Sequence, residues 1–342
     1  MTKENSSLMK PLFLIAEIAQ AHNGSLQKAH DYIDAVATTG VDAIKFQTHI
    51  ADAESSIHEP FRVKFTDAFA TRFDYWKAME FTIDAWKELK AHCDAAGLEF
   101  ISSPFSNAAV DLLEEVGVKR YKIGSGEVSN FLLLEKLSKT NKPVILSSGM
   151  SSYQELDAAV SFLKNRNVSY SVMQCTTAYP TSVEQFGLNV IQELKERYQV
   201  PVGFSDHSAQ SATGVAAVAS GAEFLEFHVI LDANETGPDA SASLTIAHAK
   251  QLNHDARYIH KALQHPITKT DSSSFTELKQ IFEKSLAVNK SLPKGHYLSF
   301  ADLEAKKPKG FGINAFEFEK VIGKQLSRGL AAWEFLNTKD IV

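Results

Sequence analysis

The sequence predicts a (β/α)₈, or TIM, barrel followed by a small C-terminal module, and three observations carry that prediction. Short apolar runs alternate with helix-like stretches eight times, the pattern of a parallel sheet built from βα units. Polar residues collect at the C-terminal ends of those runs, where such a barrel assembles its site. After residue 264 the alternation stops. An open doubly wound sheet is the competing architecture, but it rarely uses eight such even units.

The predicted strands are FLIAE (13–17), DAIKFQT (42–48), LEFISSPF (98–105), RYKIGSG (120–126), PVILSSG (143–149), SVMQCT (171–176), PVGFSDH (201–207) and FLEFHVI (224–230). The intervening stretches 25–40 and 82–98 read as helices, with Ser25 and Thr82 as N-caps and Gly40 and Gly97 closing them. The second connection, residues 49–81, is long and carries Phe61, Phe65, Phe69, Phe73 and Trp76. Connections of that length serve as lids or binding loops, although an amphipathic helix packing its aromatics on the barrel fits equally well. The catalytic barrel is therefore assigned to residues 1–264, a polar linker to 265–284 and a compact module to 285–342. The module, of roughly 58 residues, is too small to be very stable alone and is expected to lean on a barrel.

Composition excludes several classes. A net charge of −6 without runs of like charge argues against nucleic-acid and acidic-membrane surfaces. The two cysteines, Cys93 and Cys175, are far apart and lack metal-site spacing, so a reducing, cytoplasmic setting is expected. The apolar run PLFLIA is stopped at once by Glu17, which fits neither a signal peptide nor a membrane span.

The strand ends carry the chemistry. Glu17 ends the first strand; Lys45 and Gln47 lie on the second, Ser102 and Ser103 on the third, and Lys122, Ser125 and Glu127 on or after the fourth. Ser147 and Ser148 end the fifth, Thr176 and Thr177 the sixth with Tyr179 just beyond, Ser205-Asp206-His207 the seventh, and Glu226 and His228 lie on the eighth. A single strand-end serine is usually a cap, and a lone barrel histidine usually packs. Eight strands aiming polar groups at one mouth change that balance. Two lysines supply point charge and several hydroxyls supply directed donors, which together describe a receptor for a small di- or trianion. His207 and His228 end adjacent strands, and two neutral imidazoles suit a divalent ion such as manganese, zinc, cobalt or iron(II). Two protein ligands would leave positions open for substrate and water, as in a catalytic metal site. Glu17 interrupts an apolar strand, so it is paired with Lys45 or Lys122, catalytic, or both.

FLIAEIAQAHNGSLQKAHDYIDAVATTGVDAIKFQTH, ISSPFS, YKIGSGE, LSSGM, CTTAYPT, GFSDHS and FLEFHVI with the later GPD resemble the sialic acid synthase family in order and spacing. SLAVNKSLPKGHYLSFADL and VIGKQL are similar to that family's antifreeze-protein-like (SAF, β-clip type) domain. The resemblance runs from about residue 11 to the end. It implies condensation of phosphoenolpyruvate with N-acetylmannosamine or a related amino-sugar aldehyde, giving a nine-carbon 2-keto acid and phosphate. A legionaminic or pseudaminic acid synthase acting on a 2,4-diacetamido-6-deoxy sugar is the alternative. Carried over by position, the metal ligands fall on His207 and His228, for manganese, with cobalt or magnesium as alternatives. Phosphoenolpyruvate contacts fall on Lys45, Ser103, Lys122, Ser125, Ser147 and Ser205. Sugar contacts fall on Gln47, Thr177, Tyr179 and Asp239, and Glu17 and Glu127 stand beside the reacting carbons. The resemblance further implies a domain-swapped homodimer in which the C-terminal module closes the partner's site. This chain departs from the family pattern at Ala21 and Thr177, positions often occupied by asparagine. It departs again at Lys307 in KKPKG, where an arginine normally reaches the sugar; lysine keeps the charge but not the planar fork.

Three other readings are weaker. A class I aldolase would form a Schiff base on Lys45 or Lys122. A synthase acting on a phosphorylated aldose would need cationic forks, yet none of the seven arginines lies at a predicted strand end. Ice binding by the C-terminal module would need a flat, weakly charged face, which the lysine-rich KKPKG turn does not provide.

Overall fold

A computed structural model of the chain describes residues 11–63 and 66–342, so Phe65 lies outside the described residues. The chain divides into two compact units, Met1–His265 and Pro266–Val342. In the first, eight parallel strands close on themselves: β1 Phe13–Ala19, β2 Ala43–Thr48, β3 Glu99–Pro104, β4 Tyr121–Ile123, β5 Val144–Ser147, β6 Tyr170–Cys175, β7 Val202–Asp206 and β8 Phe224–Ile230. Each pairs with the next, and β1 also pairs with β8, which closes the (β/α)₈ barrel. A two-residue strand outside the predicted set, β9 (Leu244–Thr245), pairs in parallel with the end of β8.

The helices of the first unit are α1 Leu26–Ala37, α2 Ala51–Glu54, α3 Arg72–Met79, α4 Ile83–Ala95, α5 Asn107–Val116, α6 Phe131–Ser138, α7 Tyr153–Lys164, α8 Leu188–Tyr198, α9 Ser211–Ala219 and α10 Ile246–Leu263. In α1, Ala29, Tyr32, Ile33 and Val36 recur at helical spacing and are all buried, so one stripe faces the barrel. The Ser25 hydroxyl caps its start by accepting from the Lys28 amide. Thr82 does the same for α4.

The barrel interior follows the two-residue period of a strand. Ile15, Ala43, Ile101, Ile145 and Met173 form an apolar layer with Phe224. Two residues further along the same strands come Glu17, Lys45, Ser103, Ser147, Cys175 and Glu226. The floor of the site is therefore a packed hydrocarbon layer, and the next layer is almost wholly polar.

The fourth strand is shorter than expected. It ends at Ile123, and Ser125–Glu127 form a single 3₁₀ turn in which the Glu127 amide donates to the Gly124 carbonyl. The connection between β2 and α4 holds α2 and α3 and builds its own aromatic cluster from Tyr75, Trp76, Phe61, Phe69 and Phe73. Gly24 fits this connection against the barrel: its φ is +73°, and a Cβ there would lie 2.1 Å from the Ala78 carbonyl oxygen.

Residues 265–284, read from the sequence as a polar linker, hold secondary structure. They contain helix α11 (Thr276–Phe282), and the division between units falls at its N-terminal side, after His265. Two contacts anchor this helix within the second unit: the Gln280 carbonyl accepts from the Lys309 amide, and Glu283 pairs with the Lys309 ammonium. The second unit also holds the hairpin β10 (Ser285–Val288) with β11 (Leu303–Lys306), packed over Leu286, Val288, Leu298, Leu326 and Leu336. Both cysteines are free and buried. No helix among the described residues is long and apolar enough to cross a membrane.

Candidate active site

Register brings the strand-end residues together. Glu17 lies beside Lys45 on β2 and beside His228 on β8; Gln47 lies beside Ser103, and Ser205 beside both Cys175 and Glu226. Two adjoining cavities open above them. The inner one, about 70 Å³, is walled by Lys45, Lys122, Ser103, Ser125, Ser147 and Ser205, with Glu17, Glu226 and both histidines. The outer one, about 260 Å³, is lined by Gln20, Gln47, Thr177, Tyr179 and Asp239 together with residues of the β2–α4 connection. The small charged chamber suits a compact anion, and the larger one a bulkier, less charged molecule. Gly149 keeps the first open: a Cβ there would fall within 2.7 Å of Thr177 Oγ1, Cys175 Sγ and Ser125 Oγ.

Both lysines are held by carboxylates. The Lys45 ammonium lies 2.7 Å from Glu17 Oε2 and 3.7 Å from Glu226, and Lys122 lies 2.8 Å from Glu226 Oε1. The Ser205 hydroxyl donates to the same Glu226 oxygen at 2.9 Å. Burial pushes Glu17 up to about 7, against the pull of Lys45 and with a further push from Glu226. Burial raises Glu226 too, but Lys122 and Lys45 outweigh it, and its pKa ends below the usual carboxylate range. Glu226 is thus the permanent counter-ion, while Glu17 titrates near neutrality, a poise suited to proton transfer. Burial lowers the Lys45 pKa, but Glu17 and Glu226 more than offset it, so the net shift is upward. A Schiff-base lysine needs the opposite shift, which disfavours the aldolase chemistry at Lys45.

His207 and His228 face each other with ring centroids 5.3 Å apart, and Tyr179 stacks on His207 at 4.1 Å. Burial holds both imidazoles down at about 3, so they are neutral. His207 Nδ1 lies 2.8 Å from the Thr176 carbonyl, which fixes the proton on Nδ1 and makes Nε2 the lone-pair nitrogen, 3.4 Å from the Ser205 hydroxyl. That donor set fits a divalent ion. Among the described residues no group of three or more His, Cys, Asp or Glu side chains is placed to hold a metal. Two imidazoles as the protein ligands would leave the remaining positions of such an ion to substrate or water.

One expected site residue lies off these walls, and another belongs to the second unit. Glu127, turned away by the 3₁₀ turn, accepts from the Asn130 amide at 2.7 Å and lines neither cavity. Lys307 belongs to the second unit, where its ammonium lies 4.9 Å from the centroid of the Phe282 ring.

The sequence reading missed other residues. Arg62 reaches the outer chamber from the β2–α4 connection, with its guanidinium 4.2 Å from the Tyr179 centroid and 2.8 Å from Asp239. Arg72 follows it, paired with Glu59 at 3.2 Å. Counting arginines at strand ends could not find either one, because both enter from the long connection. Glu226 is different: the sequence places it on the eighth strand without a role, as a lone acid inside FLEFHVI on the same face as His228.

A closed (β/α)₈ barrel with an anion receptor beneath a pair of neutral histidines defines a class of barrel enzymes that work on small anionic substrates. The chain belongs to the NeuB family, whose model matches residues 32–268. It is 36% identical over 324 residues to the N,N'-diacetyllegionaminic acid synthase of Campylobacter jejuni, covering 92% of this chain and 96% of that one. It is 33% identical to the N-acetylneuraminate-9-phosphate synthase of Homo sapiens, covering 88% of this chain and 85% of the relative. Among solved structures it resembles the N-acetylneuraminic acid (sialic acid) synthetase of Leptospira borgpetersenii. That match has a TM-score of 0.69 and 30% identity, and covers 79% of this chain and 90% of the other.

Proposed function

We propose that this protein condenses phosphoenolpyruvate with an N-acetylated amino-sugar aldehyde, giving a nine-carbon 2-keto sugar acid and phosphate. The observation that carries the reading is the pairing of the two chambers. Lys45, Lys122, Ser103, Ser125, Ser147 and Ser205 wall a compact anion site, directly beneath a larger chamber lined by amide, hydroxyl and phenol groups. The names of the relatives, synthases of legionaminic and sialic acids, agree with it.

In this reading the lysines and serines hold the phosphate and carboxylate of phosphoenolpyruvate, and Gln47, Thr177, Tyr179 and Asp239 hold the sugar. His207 and His228 would hold a divalent ion, manganese by family resemblance, which supplies Lewis-acid polarisation of the sugar aldehyde. Carbon 3 of phosphoenolpyruvate bonds to the aldehyde carbon, and positive charge develops at carbon 2. The pair Glu17 and Glu226 supplies negative charge beside that centre. Glu17 then accepts a proton from the water that adds to carbon 2 and passes it to the sugar alkoxide left by carbon–carbon bond formation. The tetrahedral intermediate collapses to the ketone as its carbon–oxygen bond to phosphate breaks, the carbon 2 hydroxyl proton leaving with the phosphate. Glu127, which lines neither cavity and accepts from Asn130, is given no step in this reading.

The acceptor is read as neutral at its far end. Arg62 is matched by Asp239 and Arg72 by Glu59 in partly exposed pairs that solvent screens, so the outer chamber lacks the buried cationic charge that Lys45 and Lys122 give the inner one. N-acetylmannosamine fits this, and so does a 2,4-diacetamido-6-deoxy sugar. The second is favoured by the apolar rim of Phe61, Val63, Trp76, Phe105 and Met150. Phosphate release measured with phosphoenolpyruvate and each of N-acetylmannosamine, its 6-phosphate and a 2,4-diacetamido-6-deoxy sugar tests the assignment. One of the two neutral sugars is expected to give the highest kcat/KM. Preference for the 6-phosphate would overturn the acceptor class, and turnover of none would overturn the function.

The second unit is proposed to act as the antifreeze-like domain of the family does, covering the partner's barrel in a homodimer and presenting Lys307 to the sugar. Lys307→Ala is then expected to raise the KM for the sugar while leaving that for phosphoenolpyruvate nearly unchanged. Co-expressing differently tagged Lys307→Ala and Glu17→Gln chains and purifying the mixed dimer gives the test in trans. Such a dimer holds one barrel with Glu17 intact, covered by a unit with Lys307 intact, and should recover wild-type sugar KM at that site. A mixed dimer that keeps the raised KM shows that Lys307 acts in cis, and an unchanged sugar KM in Lys307→Ala itself shows that it does not act on the sugar.

A further inference from the structure

His49, the residue after β2, is an imidazole wedged flat between two aromatic rings. Trp76 stacks on one face at 3.9 Å and Phe105 on the other at 4.5 Å, with interplanar angles of 17° and 9°. Its side chain is 4% exposed, so its ring nitrogens must find partners inside the protein. Nδ1 lies 2.5 Å from Glu54 Oε1, and Nε2 lies 2.8 Å from the Gln20 amide nitrogen and 3.2 Å from Gln47 Oε1. The Gln20 amide also donates to Gln47 Oε1, and the Gln47 amide donates to Glu17 at 3.1 Å.

These contacts fix one direction throughout. An amide nitrogen can only donate, so Nε2 must accept from Gln20, and the ring proton sits on Nδ1 and is given to Glu54. The 3.2 Å between Nε2 and Gln47 Oε1 is then the separation of two acceptors sharing one amide nitrogen. Flipping Gln20 would set oxygen against oxygen at Gln47, and flipping both would set the Gln47 oxygen against the Glu17 carboxylate, the ionised form in which Glu17 acts as the base. Both amide hydrogens of Gln20 are consequently used internally, and its oxygen is what it offers to the outer chamber that it lines. Gln47 keeps one N–H for the same chamber.

We propose that Glu54 and His49 form a positioning dyad that locks Gln20 and Gln47 into one donor and one acceptor for the incoming sugar, selecting a hydroxyl or acetamido group able to do both. His49 is a positioning residue, since it acts through the two glutamines. The inference rests on the outer chamber being the sugar site.

The test separates the two substrates. His49→Phe keeps a flat ring between Trp76 and Phe105 but has no ring nitrogen; Glu54→Leu removes the acceptor that sets the tautomer. Each is expected to raise the sugar KM about tenfold, the scale of one hydrogen bond, with the KM for phosphoenolpyruvate within about twofold of wild type. Glu54→Gln, whose amide oxygen can still take the Nδ1 proton, is expected to recover most of the loss. An unchanged sugar KM in both His49→Phe and Glu54→Leu overturns the proposal while the functional reading stands. A parallel rise in both KM values also overturns it, since that marks a packing role. Failure of the wild-type protein to turn over any amino-sugar aldehyde overturns both.

Discussion

Stripping divalent ions with a chelator is expected to bring turnover to background, and manganese or cobalt to restore it. The expectation rests on the state of the two histidines. Burial keeps both neutral, and the Thr176 carbonyl fixes the His207 proton on Nδ1, so a lone pair stays aimed inward. Neutral imidazoles bind first-row divalent ions well, and two of them leave coordination positions for a sugar oxygen and water. His207→Ala should show the same loss and resist rescue by added metal. The KM for phosphoenolpyruvate should barely move in partially restored enzyme, because lysines and serines form that receptor. Full turnover by a preparation shown by elemental analysis to be metal-free would sink the metal-assisted mechanism.

Most of the barrel was legible because its signal is local. A two-residue period in strands and a 3.6-residue period in helices are written into consecutive side chains, and the caps Ser25 and Thr82 mark where one gives way to the other. The same period explains why the inner chamber was readable. Once Ile15, Ala43 and Ile101 form the apolar floor, Glu17, Lys45 and Ser103 two residues later must face the same axis.

What escaped the sequence lies where no period exists. Arg62 and His49 belong to the connection after β2, and His49 gains its role only when Trp76 and Phe105 close on it from other parts of the chain. Glu127 looked like a strand-end residue, but the strand stops at Ile123 and a turn redirects the carboxylate to Asn130. The helix Thr276–Phe282 was hidden by its setting. It is short, it follows a run of serines and threonines, and its anchoring to Lys309 is a contact between residues far apart in sequence.

Glu17→Gln is expected to fold and to lose at least about two orders of magnitude in kcat, a usual scale for a residue that moves a proton in the transition state. The amide keeps the shape of the carboxylate, so the neighbouring Gln47 can keep its contact. Lys45 keeps a carboxylate too, since Glu226 remains 3.7 Å away. The buried ammonium is therefore not left alone, which limits the stability cost that a broken buried pair otherwise carries. A thermal melt near that of the wild type checks this part. The pH dependence gives the sharper test, and its sign follows from the raised pKa. Below about 7 the Glu17 carboxyl is protonated and cannot accept a proton from water; above it the carboxylate is ready. In the wild type kcat/KM should rise with pH through a limb near 7, and in Glu17→Gln that limb should vanish from the residual activity. Turnover within a few-fold of wild type would reduce Glu17 to an ion-pair partner of Lys45. Persistence of the limb in the variant would assign the titration to another group and remove Glu17 as the base.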